Sequence, residues 1–162
     1  MGNLEKVNLL VCAPGFPTER TIDYVFVLEL CKQFAEIGIQ VVVVAPQSIS
    51  KILLRGVPVS RRVYQMHLAH NKSIKVYRPF YLSLGKGRLA GRLTKFSFRH
   101  SVRNVCTRLL IKPDICYGHF LDSAYALLSY ARDNGLPLFC SSGEDEITFH
   151  KEEKDFYIQE FR

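Results

Sequence analysis

The run Ile39-Gln40-Val41-Val42-Val43-Val44-Ala45 constrains this chain more than any other stretch. β-Branched side chains suit a pleated, extended backbone. No polar residue alternates along the valines, so a strand here needs cover on both faces, as central strands of parallel sheets have. Through Pro46 the stretch is far shorter than the ~20 apolar residues of a membrane-crossing helix. Upstream, Val7 to Cys12 is a second apolar run, ended by Ala13-Pro14-Gly15-Phe16-Pro17, which suits neither a helix nor a central strand. Between the two runs the spacing predicts a helix from about Ile22 to Ile37. Val25, Leu28, Phe34 and Ile37 lie near one apolar face, and Gly38 stops it. Strand, helix and strand make one βαβ unit.

The same rhythm returns later. Ile115-Cys116-Tyr117 reads as a short buried strand, broken at Gly118. Asp122 or Ser123 is the expected N-cap of a helix carrying Ala124, Leu127, Leu128 and Ala131, and Asn134-Gly135 closes it. Leu136 to Cys140 is predicted as a further buried strand, with Ser141-Ser142-Gly143 its polar exit. In a parallel sheet, residues just past strand C-termini face the ligand crevice. His119 and the segment Ser142-Gly143-Glu144-Asp145 are therefore candidate site residues on one sheet edge. The fold class predicted is α/β, a Rossmann-like three-layer sandwich with a mainly parallel sheet.

The middle of the chain is less regular. A short helix is expected over Ser48 to Leu54, an extended piece within Val59 to Leu68, a turn at Asn71-Lys72, and a strand from Ile74 to Leu82 that bends at Pro79. From Gly85 to Lys112 the pattern is helical and basic. Arg88, Arg92, Lys95, Arg99 and Arg103 fall in steps of three and four, so they form one stripe. At about 100° per residue, Leu89, Leu93 and Phe96 flank it on one side. Phe98, Val102, Val105 and Leu109 flank it on the other. Either the helix breaks near Ser97 or its first half buries its apolar side elsewhere, on a neighbouring domain or a membrane interface. Glu144 to Arg162 is polar and helical in pattern. A helix in an alternating α/β chain feeds another strand, so this ending is expected to be a cut inside a larger protein.

Charge is unevenly placed. The net charge is +7, and between Glu36 and Asp114 there are fifteen Lys and Arg and no carboxylate. From Glu144 onward, seven Asp and Glu face three Lys and Arg. A basic face that meets phosphate, nucleic acid or anionic lipid follows from such asymmetry. The N-terminus has no signal-peptide pattern. The five cysteines are Cys12, Cys31, Cys106, Cys116 and Cys140, with no Cys-x-x-Cys, so buried reduced thiols are expected rather than disulfides or zinc.

Familiar chemistry motifs are few. Gly85-Lys86-Gly87-Arg88-Leu89-Ala90-Gly91 approaches a dinucleotide fingerprint, but its third glycine is one place late and the acidic ribose partner is missing downstream. A flexible basic turn is expected there. His67, His70, His100 and His150 have no metal-ligand spacing. No cofactor and no metal are expected.

Three segments resemble the N-terminal half of a GT-B glycosyltransferase of family 4, the retaining, nucleotide-sugar-dependent kind. The first is Val11-Cys12-Ala13-Pro14-Gly15-Phe16-Pro17 followed by Phe26-Val27-Leu28-Glu29. The second is Lys112-Pro113-Asp114-Ile115-Cys116-Tyr117-Gly118-His119-Phe120. The third runs from Gly135-Leu136-Pro137-Leu138 to Ser142-Gly143-Glu144-Asp145. The resemblance implies a single acceptor-side domain over residues 1–162, with a donor-binding domain to follow. It implies that His119 meets the transferred sugar as the catalytic-site residue. Gly15, Phe16, Pro17 and Thr18 would lie beside the donor phosphates, and Ser142, Gly143, Glu144 and Asp145 on the acceptor side. The family often has a glycine where this chain has Val25. With one wall of the cleft only, the chain as given is expected not to turn over, because developing sugar charge and leaving diphosphate must be stabilised together.

The partners so implied are a nucleotide-sugar donor and a glycan or lipid-linked acceptor. Arg88, Arg92, Lys95, Arg99 and Arg103 would hold an anionic membrane or a lipid diphosphate, placing the protein in the cytoplasm and peripherally on the membrane's inner face. The alternative is a stand-alone basic interaction module that binds nucleic acid or a protein partner. It ranks lower, because the interleaved aromatic and basic pattern of RNA readers is missing, so no nucleic acid is expected.

Overall fold

The computed structural model describes residues 7–18, 21–85, 87–109, 112–143 and 151–161. In chain order the elements are β1 (Asn8–Cys12), α1 (Val25–Glu36), β2 (Gln40–Val44), β3 (Gln47–Ser48), α2 (Ile49–Arg55), β4 (Val63–His67), β5 (Ser73–Tyr77), β6 (Phe80–Tyr81), α3 (Arg88–Cys106), β7 (Ile115–His119), α4 (Leu121–Asn134), β8 (Leu138–Ser141) and α5 (Lys151–Glu160). The six-stranded sheet has the order β4-β5-β2-β1-β7-β8. β5, β2, β1, β7 and β8 are parallel, and β4 runs antiparallel to β5 at one edge. This is a Rossmann-like three-layer α/β sandwich.

The valine run shows how the layers assemble. Its side chains alternate between faces, and both faces are dry. Val41 and Val43, with Leu9, Val11, Ile74 and Val76, pack on Val27, Cys31 and Ala35 of α1. Val42 and Val44, with Leu10, Cys12 and Cys116, pack on Phe98, Val102 and Cys106 of α3 and on Ala126, Leu127, Tyr130 and Ala131 of α4. Pro79 marks the bend between β5 and β6, and β6 then pairs with β3 in a separate two-stranded ladder. Ser48 caps α2 by accepting from Lys51 N at 3.2 Å.

Four expectations need correction. The basic helix does not break at Ser97; α3 is continuous for 19 residues. Ser97 and Thr94 instead hold the preceding segment, accepting from the N–H groups of Leu82 at 2.9 Å and Leu84 at 3.0 Å. Only the second half of α3 meets the core. Neither Asp122 nor Ser123 caps α4: Phe120 does, with φ 72° and no side-chain bond, and its carbonyl accepts from Ser123 N and Ala124 N. β8 is an edge strand rather than a buried one, and Phe139 is 58% exposed. Cys140 on that edge is exposed, while Cys12, Cys31, Cys106 and Cys116 are buried free thiols.

Candidate functional site

β1 and β7 are neighbours, yet the chain leaves β1 toward β2 on one side and reaches β7 only after returning. The strand order therefore reverses between them. In an open α/β sheet this switch point splits the connecting helices to opposite faces and opens a crevice at the strand C-termini. The loop after β1, the turn after β7 and the exit of β8 all emerge along that edge.

The loop after β1 is tightly held. Gly15, Phe16 and Pro17 are buried, and Thr18 is half-buried. The Phe16 carbonyl accepts from Arg78 Nη1 at 2.7 Å, and the Pro17 carbonyl from Tyr64 Oη at 2.9 Å. A side chain at Gly15 would meet the Tyr24 ring, with Cβ 2.5 Å from Cδ2. Tyr24 itself sits at φ 59° immediately before α1. Among the described residues, the N–H groups of Gly15 and Phe16 make no hydrogen bond.

His119 ends β7, on the same face as Tyr117 two residues earlier. It is 9% exposed. The Phe120 ring centroid lies 4.3 Å from its own and the Phe26 centroid 5.0 Å. Nδ1 lies 3.0 Å from Tyr117 Oη and 3.2 Å from Ser141 Oγ, and Tyr117 Oη donates to Ser141 Oγ at 2.9 Å. Nε2 makes no hydrogen bond among the described residues. Burial pushes the imidazole pKa below its ordinary value of 6.5, so the neutral ring is favoured.

Two glycines set the distances here. A Cβ on Gly118 would lie 2.3 Å from the Ala124 N and Cα, so α4 rests directly on β7. A Cβ on Gly143 would lie 2.8 Å from Phe120 Cε1. Ser142 is exposed and Gly143 half-buried beside the His119 turn. Glu144 and Asp145 lie outside the described residues. Tyr117 carried no sequence signal of its own, and Ser141 only that of a polar strand exit. The i, i+2 spacing of Tyr117 and His119 in a strand would have put both on one face, but only β7–β8 pairing brings Ser141 opposite His119.

The basic stripe divides in two. Lys95 Nζ donates to Tyr157 Oη at 2.9 Å and lies 3.7 Å from Asp122 Oδ1. Arg99 Nη1 donates to Tyr125 Oη at 3.0 Å, and Arg103 Nη2 pairs with Asp133 Oδ2 at 2.9 Å. Those three tie α3 to α4 and α5. Arg88 and Arg92 stay exposed. Around them lie Leu89 (72% exposed), Leu93 and Phe96 (68% exposed). The segment 82–85 links this half of α3 to α2, since Ser50 Oγ accepts from Ser83 N at 3.2 Å. Lys51, Leu54 and Arg55 of α2 with Leu84 line a cavity of about 340 Å³ there. The open face is thus basic and apolar together. No helix among the described residues is long and apolar enough to cross a membrane. Nor do the described residues bring three or more His, Cys, Asp or Glu together as a metal site would.

No family model and no curated protein matches the sequence. Among solved structures, the chain is similar to that of LpCGTa in complex with UDP, at 14% identity and a TM-score of 0.46. The similarity covers 83% of this chain and 29% of that one.

Proposed function

We propose that this chain is the acceptor-side domain of a retaining GT-B glycosyltransferase of family 4, which moves a sugar from a nucleotide-sugar to a polysaccharide or lipid-linked acceptor. The observation that carries the reading is convergence. Three segments resembling the family, around Gly15, His119 and Ser142-Gly143, are far apart in sequence. They leave β1, β7 and β8 along one edge, at the switch point where α/β sheets take ligands.

In this reading His119 Nε2 meets the transferred sugar, with the Phe26 and Phe120 rings as apolar walls that thin the water around it. Low local dielectric strengthens every polar contact made there. The loop of residues 15–18 forms the floor below the donor. Ser142 and Gly143 border the acceptor. A second domain supplies the remaining contacts to the nucleotide, so residues 1–162 alone do not turn over. The open face of α2 and the first half of α3 lies on an anionic membrane and brings a lipid-linked acceptor to the cleft. Leu54, Leu89 and Phe96 enter the interface while Lys51, Arg55, Arg88 and Arg92 meet headgroups.

The test uses the natural full-length protein with a panel of nucleotide-sugars and anionic-lipid acceptors. Sugar transfer with retained anomeric configuration, abolished in His119→Ala, is expected. Transfer with inversion, or full activity in His119→Ala, would refute the reading.

A further inference from the structure

We propose that Tyr117 and Ser141 are positioning residues that hold His119 through Nδ1 and keep its proton on Nε2, the nitrogen left to meet the sugar. The sugar in that statement rests on the function proposed above; the tautomer does not.

The three polar atoms form a closed triangle, with edges of 2.9, 3.0 and 3.2 Å. A phenol and a serine hydroxyl each carry one hydrogen, and a neutral imidazole carries one on either nitrogen. The Tyr117 hydrogen goes to Ser141 Oγ. The Ser141 hydrogen then has Nδ1 as its acceptor, and the chain of donors runs from Tyr117 to Ser141 to His119. Nδ1 must be bare to accept, so the ring proton sits on Nε2. In the opposite tautomer Nδ1–H would donate to Tyr117 Oη, and the Ser141 hydrogen would be left with no acceptor within the triangle. Each linked hydroxyl polarises the next, which strengthens the arrangement.

The scaffold supports the same assignment. Tyr117 and His119 share a strand face, and the register sets His119 opposite Ser141. The Phe120 N–H donates to the Ser141 carbonyl at 3.0 Å, which ties the His119 turn to β8 from the other side. Phe26 and Phe120 contact the ring without offering a competing polar atom. Nε2 is therefore left as a directed N–H donor to a hydroxyl or ring oxygen.

The experiment is nitrogen NMR of the full-length protein labelled with ¹⁵N-histidine, with His119→Gln to identify the signals. A pyridine-like Nδ1 and a pyrrole-like Nε2 are expected for His119. Ser141→Ala should scramble the two shifts and lower kcat about tenfold, the rate equivalent of one neutral hydrogen bond. KM should stay unchanged, and Ser141→Thr should restore both. Tyr117→Phe, which keeps the ring in place, should give a smaller change in the same direction. A proton found on Nδ1, or wild-type shifts in Ser141→Ala, overturns the proposal. The expected shifts without any sugar transfer would uphold the positioning role and overturn the glycosyltransferase reading instead.

Discussion

Gly118→Ala places one methyl group where the fold has no room. The added Cβ would lie 2.3 Å from both N and Cα of Ala124 and 2.7 Å from its Cβ, against 3.4 Å or more for ordinary contact. Two of those atoms are backbone in the first turn of α4, so no rotamer change relieves the overlap. α4 would have to move by about an ångström, straining the bonds from Ser123 N at 3.1 Å and Ala124 N at 3.0 Å to the Phe120 carbonyl. Inserting one carbon into a packed core destabilises by about 1–3 kcal/mol, and backbone overlap puts this case at the upper end, near 3 kcal/mol. Gly91→Ala is the matched control. A Cβ there meets nothing within 4 Å, and the site is inside α3, so helix propensity should stabilise by about 0.5–1 kcal/mol. Urea unfolding followed by circular dichroism reads both changes as shifts in midpoint at constant m. An unchanged midpoint for Gly118→Ala would refute the close packing of α4 on β7. A loss in Gly91→Ala would refute the open surroundings of Gly91.

Three further outcomes follow from the geometry. His119 has a folded pKa depressed below the 6.5 of the free side chain. The unfolded chain therefore binds the extra proton first, so its contribution to stability is full above about pH 6.5 and falls as the pH drops through the folded value. Unfolding at pH 7.5 and pH 5 should show that slope, flattened in His119→Gln; an unaltered slope refutes it. Cys140 should react with a thiol reagent in the native protein as one fast equivalent, because the other four thiols are buried and burial lifts Cys31 and Cys106 to about 12 and Cys116 to about 11; several fast equivalents would contradict the core. Arg88→Glu with Arg92→Glu, or Leu89→Ser with Phe96→Ser, should weaken binding to phosphatidylserine-rich vesicles about tenfold or more, at roughly 1 kcal/mol per basic residue near the surface. Equal binding by wild type and both variants would remove the membrane face.

Much of the site is legible in the sequence. A strand that ends in Gly-His, and another that ends in Ser-Ser-Gly, mark exits because periodicity shows where apolar runs stop. The partners of His119 are hidden there, because Ser141 comes opposite it only through β7–β8 pairing. The basic stripe is only partly legible for a related reason. Helical spacing puts Arg88 through Arg103 on one side of α3, but it carries no information on what arrives there from α4 and α5.

The sequence by itself determined the layered fold. An apolar, β-branched run such as residues 39–45, bounded by Gly38 and Pro46, leaves few ways to remove both faces of a strand from water. Only the tertiary structure decided that β8 lies at an edge, that α3 stays unbroken with half its apolar side bare, and that three of its five stripe cations meet partners on α4 and α5. Local pattern is a property of neighbours along the chain. Which surfaces remain free depends on pairings between residues that the chain brings together from a distance.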